Sequence, residues 1–406
     1  MQTISDRAKK MQASPIRKLI PYAKQAEEVG INVIPLNIGQ PDIPTPEPIL
    51  EAIRSFDNKI LAYSQSQGEE ALLEAFEKYY HRNNINLKKD EIIVTTSGSE
   101  AVYFAFLATC DIGDELLVFE PFYANYNGLA TQAGISLKAI QTYPENGFHL
   151  PTAEEIEAAI TPHTRGILIC NPNNPTGTVY TRDELNCLAQ VAIKHNLYIL
   201  SDEVYREFVY DGQQHVSIMQ IANIGENAIL IDSASKRYSA CGARIGLIAS
   251  QNKSVMQACL KFAQARLCSP TLEQMAVTAG VEMDTSYFKP ILEEYQHRRD
   301  VIMGGLSKIP GVVCETPGGA FYCIVKLPVK NAEEFAKWLL TDFDDNGDTV
   351  LVAPAQGFYS TPGLGLNEVR LSYVIEAPKL ARAMEVLGIA IKEYQLIEAC
   401  CMDIAA

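Results

Sequence analysis

The segment Ser233-Ala234-Ser235-Lys236 closes an apolar run, AILID. A lysine at the end of such a run is partly desolvated, and desolvation favours the neutral, nucleophilic amine over the ammonium. Such an amine can attack a carbonyl carbon and hold it as an imine. The ordinary alternative is a lysine on a surface loop, and the neighbouring residues weigh against it. Ser233 and Ser235 carry hydroxyls suited to a phosphate. Arg244 follows eight residues after Lys236 and offers a planar fork that grips a phosphate through two bonds. Gly242 and Gly246 flank that arginine and allow close approach.

Asp202 ends the run YILSD. It is either a helix cap or an acid placed to pair with a pyridinium nitrogen. Tyr205, three residues on, can share its face and donate to a phenolate. Asn171-Pro172-Asn173-Asn174-Pro175-Thr176-Gly177 is dense turn chemistry directly after another strand. Besides turning the chain, it would raise an amide side chain above the sheet edge. Ser97-Gly98-Ser99 opens an apolar helix whose first N–H groups and dipole attract an anion, and a serine there also serves as an N-cap. In Glu120-Pro121-Phe122-Tyr123, Phe122 reads as core and Tyr123 as a face for a flat ring. A Schiff-base lysine, an acid for a pyridinium, a phosphate cradle and a stacking aromatic are together what pyridoxal 5′-phosphate requires.

The elements that must carry these residues follow from the pattern. From about residue 92 to 250, apolar strands alternate with helices of roughly a dozen residues. That alternation predicts an α/β fold, a mostly parallel central sheet with helices on both faces. Polar residues collect just after the strand ends, where open α/β sheets bind ligands. Residues 15–30 and 68–83 read as helices, and 32–46 as a proline-rich linker or crossing strand. After about 290, the character changes to a charged helix, three short strands and a closing helix, a smaller α+β unit. The expected division is a large domain over 46–290 and a small one built from 1–45 and 291–406.

Composition excludes other classes. The 406 residues are enough for two or three domains, and 47% hydrophobic with 20% charged residues is ordinary for a globular chain. A net charge of −15 argues against nucleic acid as a main partner. No stretch of about 18 apolar residues and no signal-peptide core occurs, so neither a membrane span nor secretion is expected. The ten cysteines are scattered without zinc spacing, as buried thiols of a cytoplasmic protein would be. There is no GxGxxG after a strand, and no GxxxxGK[ST], HExxH or GxSxG.

In order and spacing, NPNNPTG, SDEVY, SxSK followed by GxRIG, PGGAFY and the late RLSY resemble the class I/II aminotransferases, pyridoxal-phosphate enzymes of fold type I, over about residues 30–390. The resemblance implies a role for each matching residue. Lys236 matches the lysine that holds the cofactor and shuttles the proton; Asp202 matches the partner of the pyridine nitrogen. Tyr205 and Asn174 match the donors to the ring oxygen, and Tyr123 the stacking ring. Gly98, Ser99, Ser233, Ser235 and Arg244 match the phosphate cup. Arg370 matches the clamp for the substrate α-carboxylate, helped by Asn174 and the Gly39 N–H. Tyr63 matches a tyrosine that reaches the neighbouring subunit's phosphate, which implies a homodimer with shared sites. Asn174–Pro175 is expected to be a cis bond, with Glu120–Pro121 a second candidate.

The implied activity is transfer of an amino group from an L-amino acid to a 2-oxo acid. Aspartate and 2-oxoglutarate come first on family frequency, followed by aromatic amino acids, kynurenine and alanine. A β-eliminating C–S lyase of the same fold commonly carries His where Tyr205 stands. Gln40 replaces the more usual Glu, and no arginine stands out in the sequence as a second carboxylate clamp.

Overall fold

The computed structural model describes residues 3–11, 14 and 17–405. Its strands in chain order are β1 (Asn32–Pro35), β2 (Ile92–Thr96), β3 (Glu115–Glu120), β4 (Ser136–Gln141), β5 (Thr164–Cys170), β6 (Tyr198–Asp202), β7 (Ala228–Ser233), β8 (Ile245–Ala249), β9 (Tyr322–Lys326), β10 (Asp348–Leu351), β11 (Ala353–Pro354) and β12 (Glu368–Ser372). Seven of them form one sheet in the order β2-β8-β7-β6-β5-β3-β4.

Within this sheet only β8 runs antiparallel, to both β2 and β7. Its inner strands are nearly continuous apolar runs, because helices cover both faces, whereas the edge strand β4 is half-buried. β7 and β8 are buried along their whole length. Between strands, helices start and stop on local signals. Thr181 and Glu184 form a capping box before the helix Arg182–His195, and Gly134 ends Asn125–Ala133 in a left-handed conformation.

The two chain ends meet in a second core. β1 pairs parallel with β10, and β9, β11 and β12 form a three-stranded antiparallel sheet. Leu19, Ile34 and Leu36 pack in one cluster with Phe335, Val350, Leu371 and Leu387. Thus the stretch expected to be a linker or crossing strand does carry a strand, and it pairs with a partner more than 300 residues away. The helix expected over 15–30 runs from Ile20 to Glu28, while residues 15 and 16 lie outside the described residues. The helix Phe288–Leu306 passes through position 290 unbroken: Phe288 packs against the large-sheet side, while Tyr295, Ile302 and Leu306 pack in the second core.

The nine cysteines whose side chains are described are free. No described helix is long and apolar enough to cross a membrane.

Candidate active site

β2, β3, β5, β6 and β7 run in one direction, so their carboxyl ends reach one edge of the sheet. β8 runs the other way and therefore starts at that edge, which brings in Arg244 just ahead of it. A cavity of about 630 Å³ opens there. Gly98 and Ser99 line it after β2, Tyr123 after β3, Asn174 after β5, and Asp202 and Tyr205 at β6. Ser233, Ser235 and Lys236 follow from β7, and Gly39 and Arg370 close it from the second core. Of the residues singled out in the sequence, Tyr63 stays outside; it is 81% exposed.

A chain of hydrogen bonds crosses the cavity floor. Lys236 Nζ donates to the Gly39 carbonyl at 2.8 Å. Asn174 Nδ2 donates to Tyr205 Oη at 3.3 Å, and Tyr205 Oη lies 3.0 Å from Tyr322 Oη. Arg370 Nη1 donates to Asn174 Oδ1 at 3.0 Å, and Nη2 to the Asn37 carbonyl. The guanidinium lies over the Tyr322 ring, 4.5 Å from its centroid, and burial pulls its pKa down. Its Nε is buried without a hydrogen-bond partner. A carboxylate at this fork would relieve both penalties.

Asp202 is buried, and burial pushes its carboxyl up to about 6. Tyr126 Oη donates to it at 2.7 Å and the Val204 N–H at 3.3 Å; both hold it toward the anion. Lys236 acts on it through space in the same sense.

The opposite end of the cavity suits an anion. The helix Ser97–Thr109 has no cap from the Thr96 side chain; the Ser99 N–H donates to Ser97 Oγ at 3.3 Å, and the rest of the first turn lacks a side-chain cap. Gly246 has to be glycine here: a Cβ would lie 2.4 Å from the Ser97 carbonyl carbon and 2.5 Å from the Gly98 nitrogen. Ser233 Oγ accepts from the Ser235 N–H at 3.1 Å and lies 3.0 Å from the Ile245 carbonyl, so it also holds the turn. Below the turn, Arg237 grips Asp232 at 2.7 and 2.9 Å, with both side chains fully buried, and Tyr80 Oη donates to the same carboxylate at 2.7 Å.

The family described as aminotransferase class I and II matches residues 31–387. The chain belongs to this family. It is 32% identical to the aspartate aminotransferase of Bacillus subtilis (strain 168), with 89% of this chain and 92% of that one covered. It is also 32% identical to aromatic-amino-acid aminotransferase 2 of Thermococcus litoralis, over 97% of this chain and 100% of that one. Its fold matches a solved alanine aminotransferase of Pyrococcus furiosus with a TM-score of 0.87 at 31% identity, covering 96% of this chain and 100% of that one. The protein is thus an enzyme, a transaminase of the pyridoxal-phosphate-dependent kind, with the fold type I architecture.

The aminotransferase's residues fit that cofactor. Asp202 is a buried carboxylate that faces an open cavity and forms no ion pair with a described side chain. A pyridinium N–H is the kind of group it lacks.

One sequence expectation needs correction. Among the described residues the cis bonds are Glu120–Pro121 and Asn171–Pro172, whereas Asn174–Pro175 is trans. The chain must leave the sheet directly after Cys170, and the reversal falls there. Asn174–Pro175 lies in a loop already closed by Gly177 N–H to Asn173 O at 2.9 Å and Asn173 N–H to Thr178 O at 2.8 Å. The trans form, favoured by about 0.5–1 kcal/mol, fits that loop.

Tyr126, Tyr322 and Arg17 are among the residues of the aminotransferase's cavity that were not singled out in the sequence. Tyr126 looks like helix core until its hydroxyl is seen on Asp202. Tyr322 closes the PGGAFY motif, and that motif was the available signal for it. Arg17 lines the cavity from the turn before the helix Ile20–Glu28 and had no signal.

Proposed function

We propose that this aminotransferase moves the amino group of an L-amino acid, aspartate first, to a 2-oxo acid, 2-oxoglutarate first, by a ping-pong mechanism at one site. The observation that carries this reading is the bonded floor: Lys236, Asn174, Tyr205 and Arg370 are tied to one another or to Gly39 around a single cavity.

When bound, pyridoxal 5′-phosphate supplies an electrophilic carbon for the amino group and a ring that accepts the electrons left at the substrate Cα. The protein's residues then have separate tasks. Lys236 Nζ holds the cofactor at rest and afterwards carries the proton from Cα. Asp202 stays anionic under its Tyr126 bond and keeps the ring nitrogen protonated. Tyr205 and Asn174 donate to the ring oxygen, and Tyr123 covers the ring face. Gly98, Ser99, Ser233, Ser235 and Arg244 hold the phosphate. Arg370, with Asn174 and the Gly39 N–H, holds the α-carboxylate.

The division into domains at 46–290 and 1–45 with 291–406 belongs to the same reading. So does a cytoplasmic homodimer in which Tyr63, exposed on the single chain, reaches the partner subunit's phosphate site. A second donor class, aromatic amino acids or alanine, is supported by relatives so named at 31–32% identity.

The test is a half-reaction screen. Holoenzyme is mixed with each amino acid in turn, and the bound cofactor's visible absorbance is followed. Loss with aspartate, and recovery on adding 2-oxoglutarate, is the expected result. Loss only with aromatic amino acids or alanine would move the donor to that class, and no loss with any amino acid would refute transamination.

A further inference from the structure

Tyr322 sits on the cavity floor, and the proposed mechanism gives it no task. The residue is buried, and its hydroxyl lies 3.0 Å from Tyr205 Oη and 3.5 Å from the Gly39 carbonyl oxygen. The Tyr322 and Tyr205 rings meet edge to face, with centroids 5.5 Å apart and planes at 87°. Arg370 lies over the Tyr322 ring at 4.5 Å, and the Gly39 backbone abuts its hydroxyl, so the side chain is fixed from two sides.

The neighbours decide which way the protons point. Arg370 Nη1 donates to Asn174 Oδ1 at 3.0 Å, so the other end of that amide, Nδ2, faces Tyr205 and donates to its oxygen at 3.3 Å. A phenol has one proton to give, and its oxygen also accepts. Tyr322 has two acceptors in reach. The Gly39 carbonyl is the more distant and already accepts from Lys236 Nζ at 2.8 Å. The shorter bond, to Tyr205, therefore takes the Tyr322 proton. Tyr205 Oη then accepts twice, from Asn174 and from Tyr322, and its own proton is left for the cavity that it lines. Hydrogen bonds accepted by a hydroxyl oxygen polarise its O–H and make it a stronger donor.

We propose that Tyr322 is a positioning residue: its hydroxyl donates to Tyr205, aims the Tyr205 proton at the cofactor's ring oxygen and strengthens that bond. The proposal rests on the ring-oxygen role given to Tyr205 above and adds the residue that directs it. Tyr322 itself exchanges no proton with cofactor or substrate. Its hydroxyl carries the effect, while its ring keeps the contact with Arg370, so Tyr322→Phe separates the two.

The experiment titrates the visible absorbance of the resting holoenzyme against pH, for the wild type, Tyr322→Phe, Tyr205→Phe and the double variant. A donor at the ring oxygen stabilises its negative charge and so lowers the pH at which the lysine–cofactor linkage loses its proton. Tyr322→Phe should raise that midpoint by about half to one pH unit, roughly a threefold to tenfold change in the equilibrium. Tyr205→Phe should raise it further, and adding Tyr322→Phe to that variant should change little, because the oxygen that Tyr322 donates to is gone. An unmoved midpoint in Tyr322→Phe would overturn the proposal and leave the Tyr205 role intact. So would an equal shift with and without the Tyr205 hydroxyl, which is what a merely structural role gives. An unmoved midpoint in Tyr205→Phe would overturn the ring-oxygen reading, and the proposal with it.

Discussion

The Lys236 amine donates to the Gly39 carbonyl at 2.8 Å, so the short helix after β7 is tied to the loop after β1. That loop enters the cavity because the chain end crosses beside β12, where the Ser372 N–H donates to the Leu36 carbonyl at 2.8 Å. Gly39 can lie there only without a side chain: a Cβ would sit 1.8 Å from Tyr322 Oη. Tyr322 cannot easily yield, since Arg370 lies over its ring and Tyr205 touches its hydroxyl. Gly39→Ala should therefore cost about 1–3 kcal/mol of stability and lower kcat/KM at least tenfold. Thermal unfolding and steady-state kinetics of the variant check this; a normal Tm with normal kinetics would contradict it.

Asp202 gives a pH signature in the cofactor-free protein. Its folded carboxyl is pushed up to about 6 by burial, against an ordinary value near 4. Below about pH 4 both folded and unfolded chains hold the proton. Between about 4 and 6 the folded chain still holds it and the unfolded chain has lost it, so stability from this group falls as pH rises, by about 3 kcal/mol in all. Asp202→Asn removes that dependence. The difference in Tm between wild type and Asp202→Asn, measured across this window, should shift against the wild type as pH rises. A flat difference would show that Asp202 is not buried as described.

Arg370→Ala should raise KM for the amino acid by about tenfold to a hundredfold and leave cofactor affinity nearly unchanged. Its fork has a free buried Nε and no cofactor task in the proposed mechanism. Amino-acid KM and cofactor dissociation, measured on the same preparation, decide the matter. Equal losses of both would contradict the role.

The Asp232–Arg237 pair supports the lysine from below. Arg237→Met leaves the Asp232 charge buried with the Tyr80 hydroxyl, the Ser233 N–H and the more distant Arg206 as its remaining partners. This should destabilise the protein by about 3–5 kcal/mol. The double variant Asp232→Asn with Arg237→Met should lose less than the single one, because the unpaired charge is gone. Unfolding of both variants against wild type checks the sign, and a double variant at least as damaged as the single would contradict it.

Sequence and structure agree most where chemistry follows directly from a strand end. Ser97, Asp202 and Lys236 each sit after an apolar run, and a parallel sheet has to bring such ends together. Arg244 comes to the same edge by a different route, because β8 runs antiparallel and starts there. What the sequence hid depends on contacts across long separations. Tyr126 was indistinguishable from a core aromatic until it met a carboxylate 76 residues away. Arg17 reaches the cavity only because Leu19 is buried in a core made by the opposite chain end. The cis bond of the asparagine–proline turn was displaced by three residues, since which proline follows the reversal depends on where β5 stops.

The most direct test is borohydride trapping on holoenzyme, followed by peptide mass mapping before and after addition of an amino donor. Reduction fixes a cofactor held by a lysine amine. Without donor, the cofactor mass should appear on the peptide containing Lys236 and on no other, and Lys236→Ala should show none. With donor, that adduct should disappear as the cofactor takes up the amino group. An adduct on a different lysine, or one on Lys236 that survives every amino acid, would contradict the assignment of this site as a transaminase centre.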